Sequence, residues 1–136
     1  MKNQELDASF HAVYKLTYHL VMVTKYRKKV ITKEILSRIK EITSCLFSKY
    51  ECILIEFSGE EDHVHILFQA HPAIKLSVLV SNLKTVSSRR VRKEFKDHVL
   101  KYYWKPYFWS RSYFIVSAGG APLSVIKQYI KSQKKL

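Results

Sequence analysis

Glycine and cysteine are scarce in this chain of 136 residues, and acidic residues are outnumbered. Two cysteines, Cys45 and Cys52, are too few for a disulfide framework, and their spacing is not that of a metal knuckle. A reducing, cytoplasmic setting is therefore expected. No apolar run approaches the roughly 20 residues of a membrane span, so no membrane partner is expected. The opening MKNQELDASF has no apolar core and carries two acids, which argues against a secretion signal. Three glycines, Gly59, Gly119 and Gly120, leave few places for tight turns. Internal repeats, a P-loop, a Gly-rich dinucleotide fingerprint and the HExxH helix of zinc proteases are all absent. What is present is a length suited to one domain, 47% hydrophobic residues and a formal charge of +13. Nucleic acid is the first partner such a charge suggests.

The charge is uneven. Residues 1–83 hold 11 basic and 9 acidic residues, whereas residues 84–136 hold 13 basic and 2 acidic. Nothing after Asp97 is acidic. Lys84, Arg89, Arg90 and Arg111 belong to this basic segment, and Lys25, Arg27 and Lys28 form a second, smaller patch. These seven are the candidate phosphate contacts. Interleaved aromatics crowd into KYYWKPYFW, with Tyr102, Tyr103, Trp104, Tyr107, Phe108 and Trp109. Aromatic faces among cations suit stacking of unpaired bases, and they serve equally as anchors of a loop to the core.

Hydrophobic period predicts strands over about 12–24, 52–57, 63–70 and 112–118. It predicts helices over about 33–49, behind a Thr32 N-cap, and over about 76–96. Ser58-Gly59-Glu60 reads as the turn of a hairpin. A final helix starts near Pro122, after Gly119-Gly120. The order β-α-β-β-α-β-α predicts an α+β, ferredoxin-like split βαβ fold. Its four-stranded antiparallel sheet would carry two helices on one face, with an added C-terminal helix. Such a fold hosts many functions, so function must come from residues.

The sharpest local feature is Asp62-His63-Val64-His65-Ile66-Leu67-Phe68. On a strand His63 and His65 share one face, about 6.5–7 Å apart along the strand, and Val64, Ile66 and Phe68 take the other. Two imidazoles on a rigid strand can converge on one divalent cation. Taken alone, His-x-His on a sheet is incidental at least as often, and two ligands are too few. In the final helix, Tyr129 and Gln133 are i,i+4 neighbours beside the apolar stripe of Leu123, Ile126 and Ile130. Pattern alone would place that tyrosine in a core or interface.

With these segments in view, the sequence resembles the single-tyrosine HUH transposases of insertion sequences of the 200/605 type. The resemblance runs through YHLVMVTKYRKKV, EEDHVHILF, the helix from Leu83-Lys84 to Phe95, WSRSYFIVSAGGAPLSVIKQYI and Gln133. It implies a single catalytic domain over 1–136, with a hinge at about 119–121 containing Gly119 and Gly120, and a mobile helix over 122–135. It implies that His63, His65 and Gln133 bind Mg²⁺ or Mn²⁺ and that Tyr129 is the nucleophile. The implied partners are a second copy of the chain, with sites shared between subunits, and single-stranded DNA ends recognised as hairpins. The implied reaction is cleavage and rejoining through a 5′-phosphotyrosine. A nucleoid-associated prokaryotic location follows from the same resemblance. Seven residues follow Tyr129, so contacts made through a longer tail are not expected. The competing reading is a non-catalytic nucleic-acid-binding module on the same sheet, with the histidines and tyrosine incidental.

Overall fold

Residues 16–117 are described by the computed structural model of the protein. The strands are β1 (Leu16–Thr24), β2 (Ile53–Glu60), β3 (His63–Ala70) and β4 (Trp109–Ser117), and the main helices are α1 (Lys33–Lys49) and α2 (Leu76–Glu94). A short α3 (Lys96–Val99) follows α2, and a 3₁₀ turn spans Lys25–Arg27. The strands form one sheet in the order β2-β3-β1-β4, with every neighbouring pair antiparallel. This is the ferredoxin-like arrangement that the element order predicts. Among the described residues no helix is long and apolar enough to cross a membrane.

Alternation divides the sheet. Tyr18, Leu20 and Met22 of β1 stand beside Phe68, Ile66 and Val64 of β3 and form the core with Ile35 and Ile39 of α1 and Leu79 and Leu83 of α2. The two central strands are thus held by a dense apolar layer, which fixes their register, since a one-residue slip would turn every side chain to the wrong face. Thr32 caps α1, its Oγ1 accepting from the Ile35 N–H at 3.1 Å, as the sequence predicts. The far end of α1 closes through Cys52 N–H to Phe47 O and Glu51 N–H to Ser48 O, with Glu51 in the left-handed region at φ 58°.

Two boundaries differ from the sequence-based expectation. Strand β4 begins at Trp109, three residues before the predicted start, because Trp109 pairs with Thr24 beyond a register shift. The β2–β3 turn is at Glu61-Asp62, and β2 continues through Ser58, Gly59 and Glu60. Gly59 is needed for space: a Cβ there would lie 2.7 Å from the His63 carbonyl oxygen and 2.8 Å from Leu36 Cδ1. A glycine in a strand marks this kind of close approach as readily as a turn. The hinge Gly119-Gly120 and the helix over 122–135 lie outside the described residues.

Candidate metal centre and nucleic-acid interface

The face of the sheet opposite the helices carries His19, Val21 and Val23 from β1 and His63, His65 and Leu67 from β3, since Val21 pairs with His65 and Val23 with His63. His63 and His65 are both buried, and their Nε2 atoms lie 3.1 Å apart. Two ligands at right angles, each about 2.1 Å from one ion, stand about 3.0 Å apart, so the pair has the spacing of adjacent coordination positions. On the strand backbone alone the same two residues would be more widely separated. The rings turn toward each other, with interplanar angle 80°.

Asp62 sets the orientation of the first ring. Its Oδ1 is 2.7 Å from His63 Nδ1, and its Oδ2 accepts from Arg27 Nε at 3.2 Å and Nη2 at 3.0 Å. Burial alone would raise the Asp62 carboxyl, but the hydrogen bonds from His63 and Arg27 outweigh it and hold Asp62 below its ordinary value. His19 stacks on His65 with ring centroids 5.9 Å apart, and burial pushes it down to about 4. It is therefore neutral at physiological pH. Among the described residues no third His, Cys, Asp or Glu completes a metal cluster with the pair. The two imidazoles fit a divalent ion, and a further oxygen or nitrogen must come from elsewhere. Tyr129 and Gln133 lie outside the described residues.

The basic candidates divide. Lys25, Lys84, Arg89 and Arg111 line one cleft of about 580 Å³, together with Arg92, which the sequence analysis did not select. Among the described residues no acid lines it, while Tyr107 and Trp109 contribute aromatic surface. Lys84 donates to the Arg111 carbonyl at 2.9 Å, and partial burial lowers its ammonium from the ordinary value. Arg27 instead pairs with Asp62, and Lys28 and Arg90 are exposed outside the cleft. The aromatic segment is divided between core and surface. Tyr103, Phe108 and Trp109 are buried in the core, Tyr107 lines the cleft, and Trp104 is exposed.

Backbone contacts join the two regions. Lys25 N–H donates to Phe108 O at 2.8 Å and Tyr103 Oη donates to Lys25 O at 2.6 Å, fixing the cleft wall. Two residues later, Arg27 reaches Asp62 in the turn that precedes the two histidines. The sequence missed Asp62 as the partner of His63 because its role depends on where the turn falls. His19 was legible in principle: alternation opposite Tyr18, Leu20 and Met22 already places it on the histidine face.

Comparison with known proteins places these features in context. The family described as "Transposase IS200 like" matches residues 12–133. The ISDra2 transposase TnpA of Deinococcus radiodurans is 31% identical over 121 residues, covering 89% of this chain and 86% of the relative. The transposase for insertion sequence element IS200 of Salmonella typhimurium is 28% identical, covering 90% and 80%. A crystal structure of a candidate transposase from Deinococcus radiodurans R1 superposes with TM-score 0.74 at 30% identity, covering 94% of this chain and 98% of the other. A REP-associated tyrosine transposase, solved with a REP hairpin, shares the fold at TM-score 0.62 and 6% identity, covering 89% and 67%.

Proposed function

Because this chain belongs to the IS200-like transposase family, we propose that it cuts and rejoins single-stranded DNA ends, recognised as hairpins, by metal-assisted transesterification through Tyr129. The observation that carries the chemistry is the His63–His65 pair, with its two Nε2 atoms 3.1 Å apart and His63 held by Asp62. His63, His65 and Gln133 would hold Mg²⁺ or Mn²⁺. Such an ion would polarise the scissile phosphate and offset charge developing on its oxygens.

The phenol of Tyr129 has an ordinary pKa of about 10 and is a poor nucleophile when neutral. Its oxygen attacks phosphorus in line, the P–O3′ bond breaks, and the departing 3′-oxygen takes up a proton as the phenol loses one. The products are a 5′-phosphotyrosine and a 3′-OH. Attack by another strand's 3′-OH reverses the step, breaking the tyrosine ester and restoring the phenol. One phosphodiester is exchanged for another, so no ATP is required. The basic cleft supports the substrate: clustered cations supply sequence-independent affinity for phosphates, and Tyr107 offers a stacking face. The solved transposase carrying a REP hairpin shares the fold, which makes a hairpin the substrate to test first. Two copies of the chain would share their sites, with Gly119 and Gly120 allowing the Tyr129 helix of one to reach the histidine pair of the other.

The test uses hairpin DNA from the flanks of the gene. Wild type with Mg²⁺ or Mn²⁺ should give a protein–DNA adduct on denaturing gels, abolished by chelation. Tyr129→Phe should keep hairpin binding and lose the adduct. An adduct that persists in Tyr129→Phe overturns the assignment of the nucleophile. The basic cleft also favours one second reading, a non-catalytic nucleic-acid binder; hairpin binding with no metal-dependent nicking would establish it.

A further inference from the structure

We infer that Asp62, anchored by Arg27, is a positioning residue that holds His63 in one tautomer and so presents its Nε2 lone pair to a divalent ion. The inference rests on the metal-binding reading of His63 and His65 for its purpose, though not for its geometry. A neutral imidazole carries one proton, and the nitrogen without it is the ligand. Here Nδ1 faces an ionised oxygen, Asp62 Oδ1 at 2.7 Å, which only a protonated Nδ1 can satisfy. Nε2 is left with its lone pair, directed at His65 Nε2. In the metal-free chain that lone pair accepts from His65, and only His65 has to give up its Nε2 proton when an ion takes the place of the shared hydrogen bond.

The two carboxylate oxygens have separate duties. Arg27 binds Oδ2 through both Nε and Nη2, leaving Oδ1 for His63. Arg27 reaches that position because Tyr26 and Arg27 adopt left-handed conformations, at φ 60° and 54°. Non-glycine residues are held there only when their surroundings demand it. The surroundings are specific. Thr24 N–H donates to the Asp62 carbonyl at 3.0 Å, Thr24 Oγ1–H has the Lys28 carbonyl at 2.7 Å, and Ile31 N–H donates to the Glu61 carbonyl at 2.9 Å. The basic segment 25–31 is thereby clasped to the turn that launches the two histidines. Arg27, selected from sequence as a phosphate contact, engages Asp62 in this way.

Ring ¹⁵N NMR of the metal-free full chain and Mn²⁺ titration followed by EPR test this together. Wild type should show His63 protonated at Nδ1 and bare at Nε2. In Asp62→Ala, His63 should become a mixture of tautomers, and Mn²⁺ affinity should fall about 10–100-fold. Arg27→Gln, which leaves the carboxylate in place, should give a smaller loss. Near-UV circular dichroism confirms the fold, and if Asp62→Ala does not fold, Asp62→Leu, of similar size and without an acceptor, carries the comparison. An Nε2-protonated His63 in wild type overturns the inference, and so does an Asp62 variant in which both tautomer and affinity are unchanged. If wild type binds no Mn²⁺ but its His63 tautomer depends on Asp62, the positioning stands and the metal-binding reading fails.

Discussion

Gly59 lies across the β2–β3 ladder from Val64, so close to the histidine strand that a methyl group on it would meet the His63 carbonyl oxygen at 2.7 Å. The third contact, Val64 Cγ1 at 3.1 Å, leaves no easy direction for relief. Leu36 Cδ1 could rotate away, whereas the His63 carbonyl belongs to the ladder itself. Gly59→Ala should therefore cost on the order of 1–3 kcal/mol, the range for overpacking a tight site. Because the displaced backbone is that of His63, Mn²⁺ affinity should fall along with stability. Urea unfolding and metal titration of the same variant check both, and an alanine variant as stable as wild type would show that the strand yields freely.

The error over this glycine shows what sequence can convey here. Helix α1 is legible to the residue, from the Thr32 cap and the spacing of Ile35, Ile39 and Ile42. The histidine strand is equally legible, because His63 and His65 alternate with buried Val64, Ile66 and Phe68. Local signals carry such elements. The position of the β2–β3 turn is different, since Gly59 reports a close approach by another strand and by Leu36, which no local pattern encodes. The same limit hid the Asp62–Arg27 pair, whose members lie 35 residues apart. The division of aromatics in KYYWKPYFW also depended on the sheet, through the pairing of Trp109 with Thr24.

Trp109 provides a second prediction. Its Nε1–H donates to Ser87 Oγ at 2.9 Å, and Ser87 Oγ–H in turn donates to the Leu83 carbonyl at 2.6 Å, with both side chains buried. Ser87→Ala strands the indole N–H without its acceptor, which costs about 1–3 kcal/mol. Trp109 also lines the basic cleft. A lowered unfolding midpoint with altered tryptophan fluorescence is expected. An unchanged midpoint would mean that the indole finds another acceptor at no cost.

His19 makes the histidine face sensitive to acid. It is buried between His65, stacked at 5.9 Å, and Phe114, edge-on at 6.3 Å, with Glu56 and Glu60 of β2 and His63 of β3 on the same face. Its folded value of about 4 lies below the ordinary 6.5. Between those values the unfolded chain takes up a proton that the folded chain refuses, so stability falls as pH drops from 6.5 toward 4. The full effect is on the order of 3 kcal/mol, from about 1.4 kcal/mol per pH unit. Asp62 acts in the same direction at lower pH: its lowered folded value adds stability above the unfolded value, and that stability is lost as pH falls through the folded one. Stability measured from pH 7 to pH 4 should decline less in His19→Gln than in wild type. Equal slopes would show that His19 protonates freely in the folded state.

The cleft predicts how salt should affect DNA binding. Each phosphate neutralised on a single strand contributes about −0.7 to the slope of log K against log salt. Arg89 and Arg111 line the cleft among other cations and no described acid, so both are placed to make such contacts. Arg89→Gln with Arg111→Gln should weaken hairpin binding and make the slope shallower by about 1.4. Arg38→Gln is the control, because Arg38 is occupied by Glu94 at 2.7 and 3.0 Å; its removal should leave the slope unchanged. Tyr107→Ala separates stacking from charge. It should reduce affinity for single-stranded DNA, by about 1–3 kcal/mol if one base stacks there, without altering the slope. Fluorescence anisotropy between about 50 and 200 mM salt reads all three variants. If the double variant kept the wild-type slope, the DNA backbone would have to run elsewhere, with the exposed Lys28 and Arg90 as the next cations to test. A shallower slope in the double variant, with weaker binding at an unchanged slope in Tyr107→Ala, would place phosphates on the arginines and a base on the tyrosine.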